Sequence, residues 1–373
     1  MQKQRNKLNF EGQNIYVGID VHNAHWTVTV LTEFNFHKKI HMEPSPEVLD
    51  KYLRTTFPNA DYYSVYEAGF CGFWIHYRLV ELGINNIVVN AMDIPTTGKE
   101  KDRKDDSRDS GKLADKLRSG NLKGIHIPLL STQEARSLIR TRKRAVTDMT
   151  RMKNRIKQHL HFYGIEIPKE YSCVRGFPCS YIKWLHDVAS KRSAVGRRSL
   201  EILTKNAEDQ KNHLKDITRD VSLLSRSVEY RENINLLQSI SGIGALSSII
   251  FLVEIEDISR FCNCNNFASY FGIVPSCHTT GDGLFQMESI KHQDNKKFVK
   301  TGEMTRRAQK DLRSTLIECA WKAARKDPAL SLSFNCYCKT MKRNKAIVKI
   351  ARKLCNRIYS VLKNKKTYVY GTV

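Results

Sequence analysis

The chain is 373 residues long, 41% hydrophobic and strongly basic, with a formal net charge of +24 and an isoelectric point near 9.6. Its length exceeds one usual domain, its apolar content excludes wholesale disorder, and its charge attracts polyanions, of which nucleic acid is the commonest. The ten cysteines sit in a large chain whose opening, MQKQRNKLNF, lacks the apolar core of a signal peptide, so reduced thiols in a cytoplasmic protein are expected rather than a disulfide scaffold. Cys262/Cys264 and Cys336/Cys338 are each separated by one residue, not the two of a zinc knuckle. No stretch approaches the ~18 apolar residues of a membrane span.

Residues 14–31 alternate as two β-runs around a turn, with Val17, Ile19, Trp26, Val28 and Val30 supplying the period. YYSVYEAGF (62–70) predicts a third strand, FWIHYRLVELG (73–83) a helix closed by Gly83, and NNIVVNA (85–91) a further strand. This order predicts an α/β sheet domain over 1–125. An acidic cluster, KDDSRDSGKLADKL (104–117), follows and opens a helix. From 126 to 232 the chain reads as helical. A long basic helix ends at Gly164, a short one surrounds YIKWLHDVA, and a second long one starts near 197. There Leu203, Ala207, Gln210, Leu214, Ile217, Val221, Leu224 and Val228 form a heptad seam, which fits either packing within one bundle or a coiled coil between subunits. The last region, 233–373, is mostly helical. Its ISGIGA reads as the turn of a helix-hairpin-helix, with Gly242 and Gly244 leaving amides for a nucleic-acid backbone, or as a tight turn between core helices. Two apolar helices follow, near 312–325 and 344–363.

Metal-assisted phosphodiester chemistry needs several carboxylates around two Mg²⁺ ions, ~3.5–4 Å apart, to clamp the attacking and leaving oxygens. Asp20 lies in the first strand and Glu67 in a later one, where a carboxylate among apolar neighbours is costly unless it is paired or binds a cation. The acidic cluster offers further partners, because acids three or four apart share a helix face. Asp102/Asp105, Asp105/Asp109 and Asp106/Asp109 all satisfy that spacing, and spacing does not choose among them.

GID on the first strand, YEA on a later one and K-x-D-x-x-D opening a helix resemble the DEDD transposases of bacterial insertion sequences, the insertion-sequence one-ten group, related to Piv-type DNA invertases. LLQSISGIGALSSIIFLVEIEDISRF, FASYFGIVPSCHTTGDG, RRAQKDLRSTLIECAWKAARKDPAL and NKAIVKIARKLCNRIYSVL extend the resemblance over almost the whole chain outside its middle. The resemblance implies that Lys104, Asp106 and Asp109 occupy the family's K-x-D-x-x-D. The metal-binding tetrad is then Asp20, Glu67, Asp106 and Asp109, with Asp102 and Asp105 as bystanders. It also implies an RNase H-like (RuvC-like) N-terminal domain, a coiled-coil middle and a C-terminal transposase domain carrying a covalent serine nucleophile. DNA at element ends and target, a structured guide RNA, and a dimer or tetramer in a bacterial cytoplasm follow from it as partners and setting.

The chain departs from that pattern at the nucleophile, where the family's Ser-Gly aligns with Thr280-Gly281. Threonine can act as a covalent nucleophile, although its β-branch crowds the hydroxyl. Ser276, four residues earlier, is the alternative, and His278 a candidate proton acceptor. The expectation is a Mg²⁺-dependent DNA transposase or recombinase. The alternatives are a RuvC-like junction resolvase that uses water, and a binding protein without chemistry.

Overall fold

The computed structural model describes residues 9–94, 106–172, 177–278, 300–304 and 309–369. The chain divides into two compact units, 1–128 and 129–373.

The first unit is a mixed five-stranded sheet in the order β3-β2-β1-β4-β5. Its strands are β1 (Asn14–Val21), β2 (Trp26–Leu31), β3 (Phe36–Met42), β4 (Asp61–Glu67) and β5 (Asn85–Val89). The first three pair antiparallel as a meander, and β1, β4 and β5 pair in parallel. This mixed sheet is compatible with the RNase H-like domain expected from the sequence. Period-2 alternation divides its side chains between two faces. Ile15, Val17 and Ile19 join Trp26, Val28, Tyr62 and Tyr66 in one core. It is roofed by helices α1 (Pro46–Thr56) and α2 (Trp74–Glu81), through Leu49, Leu53, Ile75 and Leu79.

The opposite face takes helix α3 (Asp106–Arg118), whose Leu113 packs on Val65, Val89 and Ile94. Gly18 sits beneath this helix. A Cβ built there would lie 2.0 Å from the Ser110 carbonyl oxygen and 2.6 Å from the Ala114 nitrogen. The helix therefore rests on bare backbone, and no larger residue fits. Ser110 is fully buried at this contact and shares a 2.9 Å hydrogen bond with Thr29 on β2, the residue paired with Gly18 across the meander.

The second unit is helical, with one two-stranded ribbon. Helices α4 (Leu130–Phe162) and α6 (Ala194–Ser225) run antiparallel, with α5 (Cys179–Ser190) against one end. Met152, Ile156 and Leu160 pack with Leu185, Leu200 and Ala207, while Ile139 and Ala145 pack in a second core with Ile217 and Val221. That second core is completed by α7 (Val228–Gln238), α8 (Ala245–Ile255), α9 (Cys264–Tyr270), α10 (Lys310–Lys326), α11 (Pro328–Thr340) and α12 (Arg343–Asn364). Strands β6 (Pro275–His278) and β7 (Lys300–Met304) pair antiparallel.

The heptad seam is thus satisfied within the chain, by α4. Its last member is not part of it. The helix stops at Ser225, and Val228 opens the next helix with 90% of its surface exposed. The seam therefore supplies no argument for association between subunits.

Two buried acids tie the second unit together. Glu254 accepts from Arg140 at 3.1 Å and lies 3.5 Å from Arg136. Asp327, 1% exposed, accepts from Arg357 at 2.6 Å, from the Tyr368 hydroxyl at 3.1 Å and from the Leu330 amide at 2.9 Å. Among the described residues every cysteine is a free thiol, and no helix is long and apolar enough to cross a membrane.

Gly18→Ala is expected to cost more than the ~1–3 kcal/mol usual for overpacking, because backbone rather than a mobile side chain blocks the new methyl. Amide exchange should show α3 losing protection while α8 and α12 keep theirs. Ile156→Asp places an unpaired carboxylate in the α4–α6 core. It should destabilise the second unit by roughly 3 kcal/mol or more, read by denaturant titration of helicity.

Candidate active site

The parallel register of β1 with β4 runs to the pair Ile19–Tyr66. The next residue on each strand is an acid, Asp20 and Glu67, and both lie on the face that carries α3. Both therefore stand at the carboxyl ends of adjacent parallel strands, where open α/β sheets offer a crevice. Helix α3 brings a third carboxylate, because Gly18 lets Ser110 touch the strand and Asp109 precedes Ser110. Asp20, Glu67 and Asp109 line one cleft of about 160 Å³, with Ala68, Gly69 and Phe70 on its rim. Asp106 opens the same helix one turn earlier, and its side chain lies outside the described residues.

The electrostatics of the cleft are those of crowded acids. Burial pushes the Glu67 carboxyl above the usual glutamate range, and the nearby Asp109 and Asp20 charges push it further, with Lys112 opposing them. His22 Nε2 lies 3.0 Å from Asp20 Oδ2. Its ring is the first of a row, with centroids 5.8 Å from His22 to His25 and 5.5 Å from His25 to His41. Among the described residues no three His, Cys, Asp or Glu side chains are drawn close enough to hold one metal ion by themselves. Mg²⁺ does not require such a cage. It keeps several waters and binds through one or two carboxylates plus substrate phosphates. Hard, anionic oxygens whose mutual repulsion raises a pKa are a donor set that a divalent cation would relieve, so the residues fit one.

The other sequence-derived candidates are distributed as follows. Lys104, Asp102, Asp105, Thr280 and Gly281 lie outside the described residues. Ser276 and His278 fall on β6, and their side chains lie outside the described residues. Register pairs His278 with Lys300 and Cys277 with Thr301. Gly242 has a positive φ of +90°, and a Cβ there would lie 2.6 Å from the Cys319 carbonyl oxygen and 2.7 Å from the Ala323 nitrogen. Its glycine is demanded by the turn and by α10. Gly244 differs. It is exposed, it caps α8 without a side-chain hydrogen bond, and a Cβ there would meet nothing within 4 Å.

Gly18, Thr29 and Ser110 had not been singled out in the sequence. A glycine two residues before a strand carboxylate was the available signal, since glycine inside a strand marks close backbone approach. Ser110 gave none, because its partner is 81 positions away.

Comparison with known proteins bears on the same residues. Residues 17–165 match the IS110 DEDD transposase model, described as "Transposase". Residues 234–297 match a model described as "Transposase IS116/IS110/IS902 family". The chain is 26% identical over 316 residues to the transposase for insertion sequence element IS1533 of Leptospira borgpetersenii, covering 83% of this chain and 85% of that protein. It is 24% identical over 280 residues to the transposase for insertion sequence element IS1111A of Coxiella burnetii, covering 73% and 70%. The first match takes in β1, β4 and α3, the three elements that carry the cleft, and the two together span more than half of the sequence: the chain belongs to the IS110 family of DEDD transposases.

Proposed function

We propose that the chain is the transposase of an insertion sequence, cutting and rejoining DNA strands at the element's ends, with Asp20, Glu67, Asp106 and Asp109 as its metal ligands. One observation carries this reading. Three acids from three separate elements line one cleft, and burial, with the repulsion of Asp109 and Asp20 added to it, raises the Glu67 pKa, an arrangement that costs stability and is retained where cations are held. Mg²⁺ in this cleft would supply charge neutralisation and Lewis acidity at the scissile phosphate.

The remaining work falls to the chain itself. Asp20, Glu67, Asp106 and Asp109 would hold the ions, and Gly18 fixes the spacing between strand and helix. The Thr280 hydroxyl attacks phosphorus, passes its proton to an acceptor for which His278 is the candidate, and expels a sugar hydroxyl. A second strand's hydroxyl then displaces the threonine oxygen, restoring the protein and joining the strands. Backbone amides at Gly244 and the Lys104 ammonium take backbone phosphates, and a structured guide RNA and a dimeric or tetrameric assembly complete the reading. Threonine at position 280, where the family has serine, favours one second reading, a resolvase-like enzyme in which water attacks directly.

Asp20→Asn, Glu67→Gln, Asp106→Asn and Asp109→Asn should each lower Mg²⁺-dependent cleavage of element-end DNA on the order of 10³-fold, the loss of several kcal/mol of charge stabilisation. DNA affinity should change little, and Asp102→Asn should cleave normally. Denaturing electrophoresis of end-labelled DNA reads both. Covalent protein–DNA adducts should vanish in Thr280→Ala and persist in Thr280→Ser and Ser276→Ala. Cleavage without adducts in all of them would favour water.

The raised Glu67 pKa gives a sign for pH dependence. The folded state holds this proton more tightly than the unfolded chain, so without divalent cations stability falls as pH rises from the ordinary glutamate value of 4.5 through the folded value. Glu67→Gln should remove that decline. Mg²⁺ should raise the melting temperature of wild type at neutral pH and affect the variant less, as scanning calorimetry would show.

A further inference from the structure

A second cavity, of about 420 Å³, lies in the helical unit between α4, α6, α8 and the first turn of α10, a volume suited to a small ligand. Its composition is divided. Ile139, Val221, Leu246, Ile250 and Leu312 form an apolar wall, while four cations, Arg140, Arg142, Lys143 and Lys310, outnumber the two acids on the lining, Glu254 and Asp311. Two of these cations are already matched. Arg140 donates to Glu254, and Lys143 lies 3.5 Å from Asp311. Arg142 is not. Its Nε donates to the Thr218 hydroxyl at 3.1 Å, and among the described residues no carboxylate pairs with it. Burial alone lowers its pKa. A half-buried guanidinium without a counter-ion is costly, and it faces a cavity large enough to admit an anion. Lys310 adds a second cation without a carboxylate partner among the described residues, at the start of a helix whose N-cap Gln309 makes no capping hydrogen bond.

An anion alone would leave the apolar wall unused, and an apolar ligand would leave Arg142 unmatched. A group that carries both, a planar ring on a phosphate, uses the whole cavity. We infer that this cavity receives one unstacked nucleotide of a bound single strand, with its base against Ile139, Leu246 and Ile250 and its phosphate on Arg142 and Lys310. Aliphatic walls hold extruded bases in this way, and guanidinium pairs with phosphate by charge-assisted hydrogen bonds. Gln309 and Thr315, on the same lining, supply hydrogen bonds for the base edge. The site is distinct from the carboxylate cleft, and the inference rests on the reading of the chain as a nucleic-acid enzyme.

The test is fluorescence anisotropy of the full chain with a short labelled oligonucleotide, as single-stranded DNA, single-stranded RNA and duplex DNA. Arg142→Gln and Leu246→Glu should each weaken single-strand binding at least ~5-fold, the loss of one base contact, and leave duplex binding nearly unchanged. Arg142→Gln should also lower the slope of log affinity against log salt by about one. Arg144→Gln, an exposed residue on the same helix outside the cavity, should affect single strand and duplex alike. A deficit confined to RNA would identify the strand as RNA, and one confined to DNA as DNA. Leu246 is 36% exposed, so its variant carries the test if Arg142→Gln fails to fold by circular dichroism. Folded variants that bind single strands like wild type would overturn the inference, as would equal losses on single strand and duplex, the mark of an ordinary backbone contact. Wild type that binds no nucleic acid would overturn the broader reading as well, whereas wild-type binding with indifferent cavity variants sinks this inference alone.

Discussion

The contact of helix α3 with the bare backbone at Gly18 is the constraint on which the arrangement of the three carboxylates depends. Any side chain at that point would hold the helix off the sheet, because the nearest atoms are a carbonyl and an amide nitrogen that cannot rotate away. The buried Ser110–Thr29 hydrogen bond fixes rotation and translation at the same place, since sliding the helix would leave two hydroxyls without partners. Asp109 is the residue before Ser110. Its position relative to Asp20 and Glu67 is therefore set by the same two contacts that seat the helix, with no flexible loop between carboxylate and anchor.

That economy explains how an unfavourable cluster persists. Three acids in one cleft repel, and the raised Glu67 pKa records part of the cost. The cost is offset by apolar burial elsewhere in the same unit, where Ile15, Val17 and Ile19 on the far side of β1 are fully buried. One strand thus carries both terms, with alternate residues contributing to the core and to the site. The basic excess has a complementary role, because a phosphate backbone would not approach three carboxylates unaided. A chain of net charge +24 draws the polyanion in, and cations in the cleft would complete the neutralisation where the acids stand.

What was legible in the sequence follows the same physics. β1 and β2 show alternation because one face of each is buried, so the apolar period is enforced. Strand β3 was not read, because FHKKIHM lies at the sheet edge and only Ile40 and Met42 pack inward. Helix α1 was also missed, although Ser45 and Pro46 open it with an N-cap and a first-turn proline. Helix α11 commits only Leu330 and Phe334 fully to the core and offered little period. The seam on α6 is legible as a seam from Leu203 to Leu224, though not at Val228, and its partner is not. A heptad reports which face is apolar, and nothing in it distinguishes a neighbouring helix of the same chain from one of another. For the site, Asp20 and Glu67 stood out as carboxylates among apolar strand residues. Spacing could not rank the acids around the start of α3, because helical periodicity admits several pairs, whereas the seat on Gly18 brings Asp109 to the cleft.

The cations of the second unit sort by the same kind of reasoning. Arg136 and Arg140 are met by Glu254, and Arg357 by Asp327, with both acids at most 6% exposed. These acids gain nothing from solvent, and their removal would strand a guanidinium, so such pairs hold helices to one another. Arg142 stands on α4 within one turn of Arg140, yet among the described residues no carboxylate pairs with it. A stability role would call for a partner like those its neighbours have. A cation left half-buried and unmatched beside an apolar wall is better explained by a counter-charge that arrives with a ligand, and in a family that acts on DNA that ligand carries phosphate.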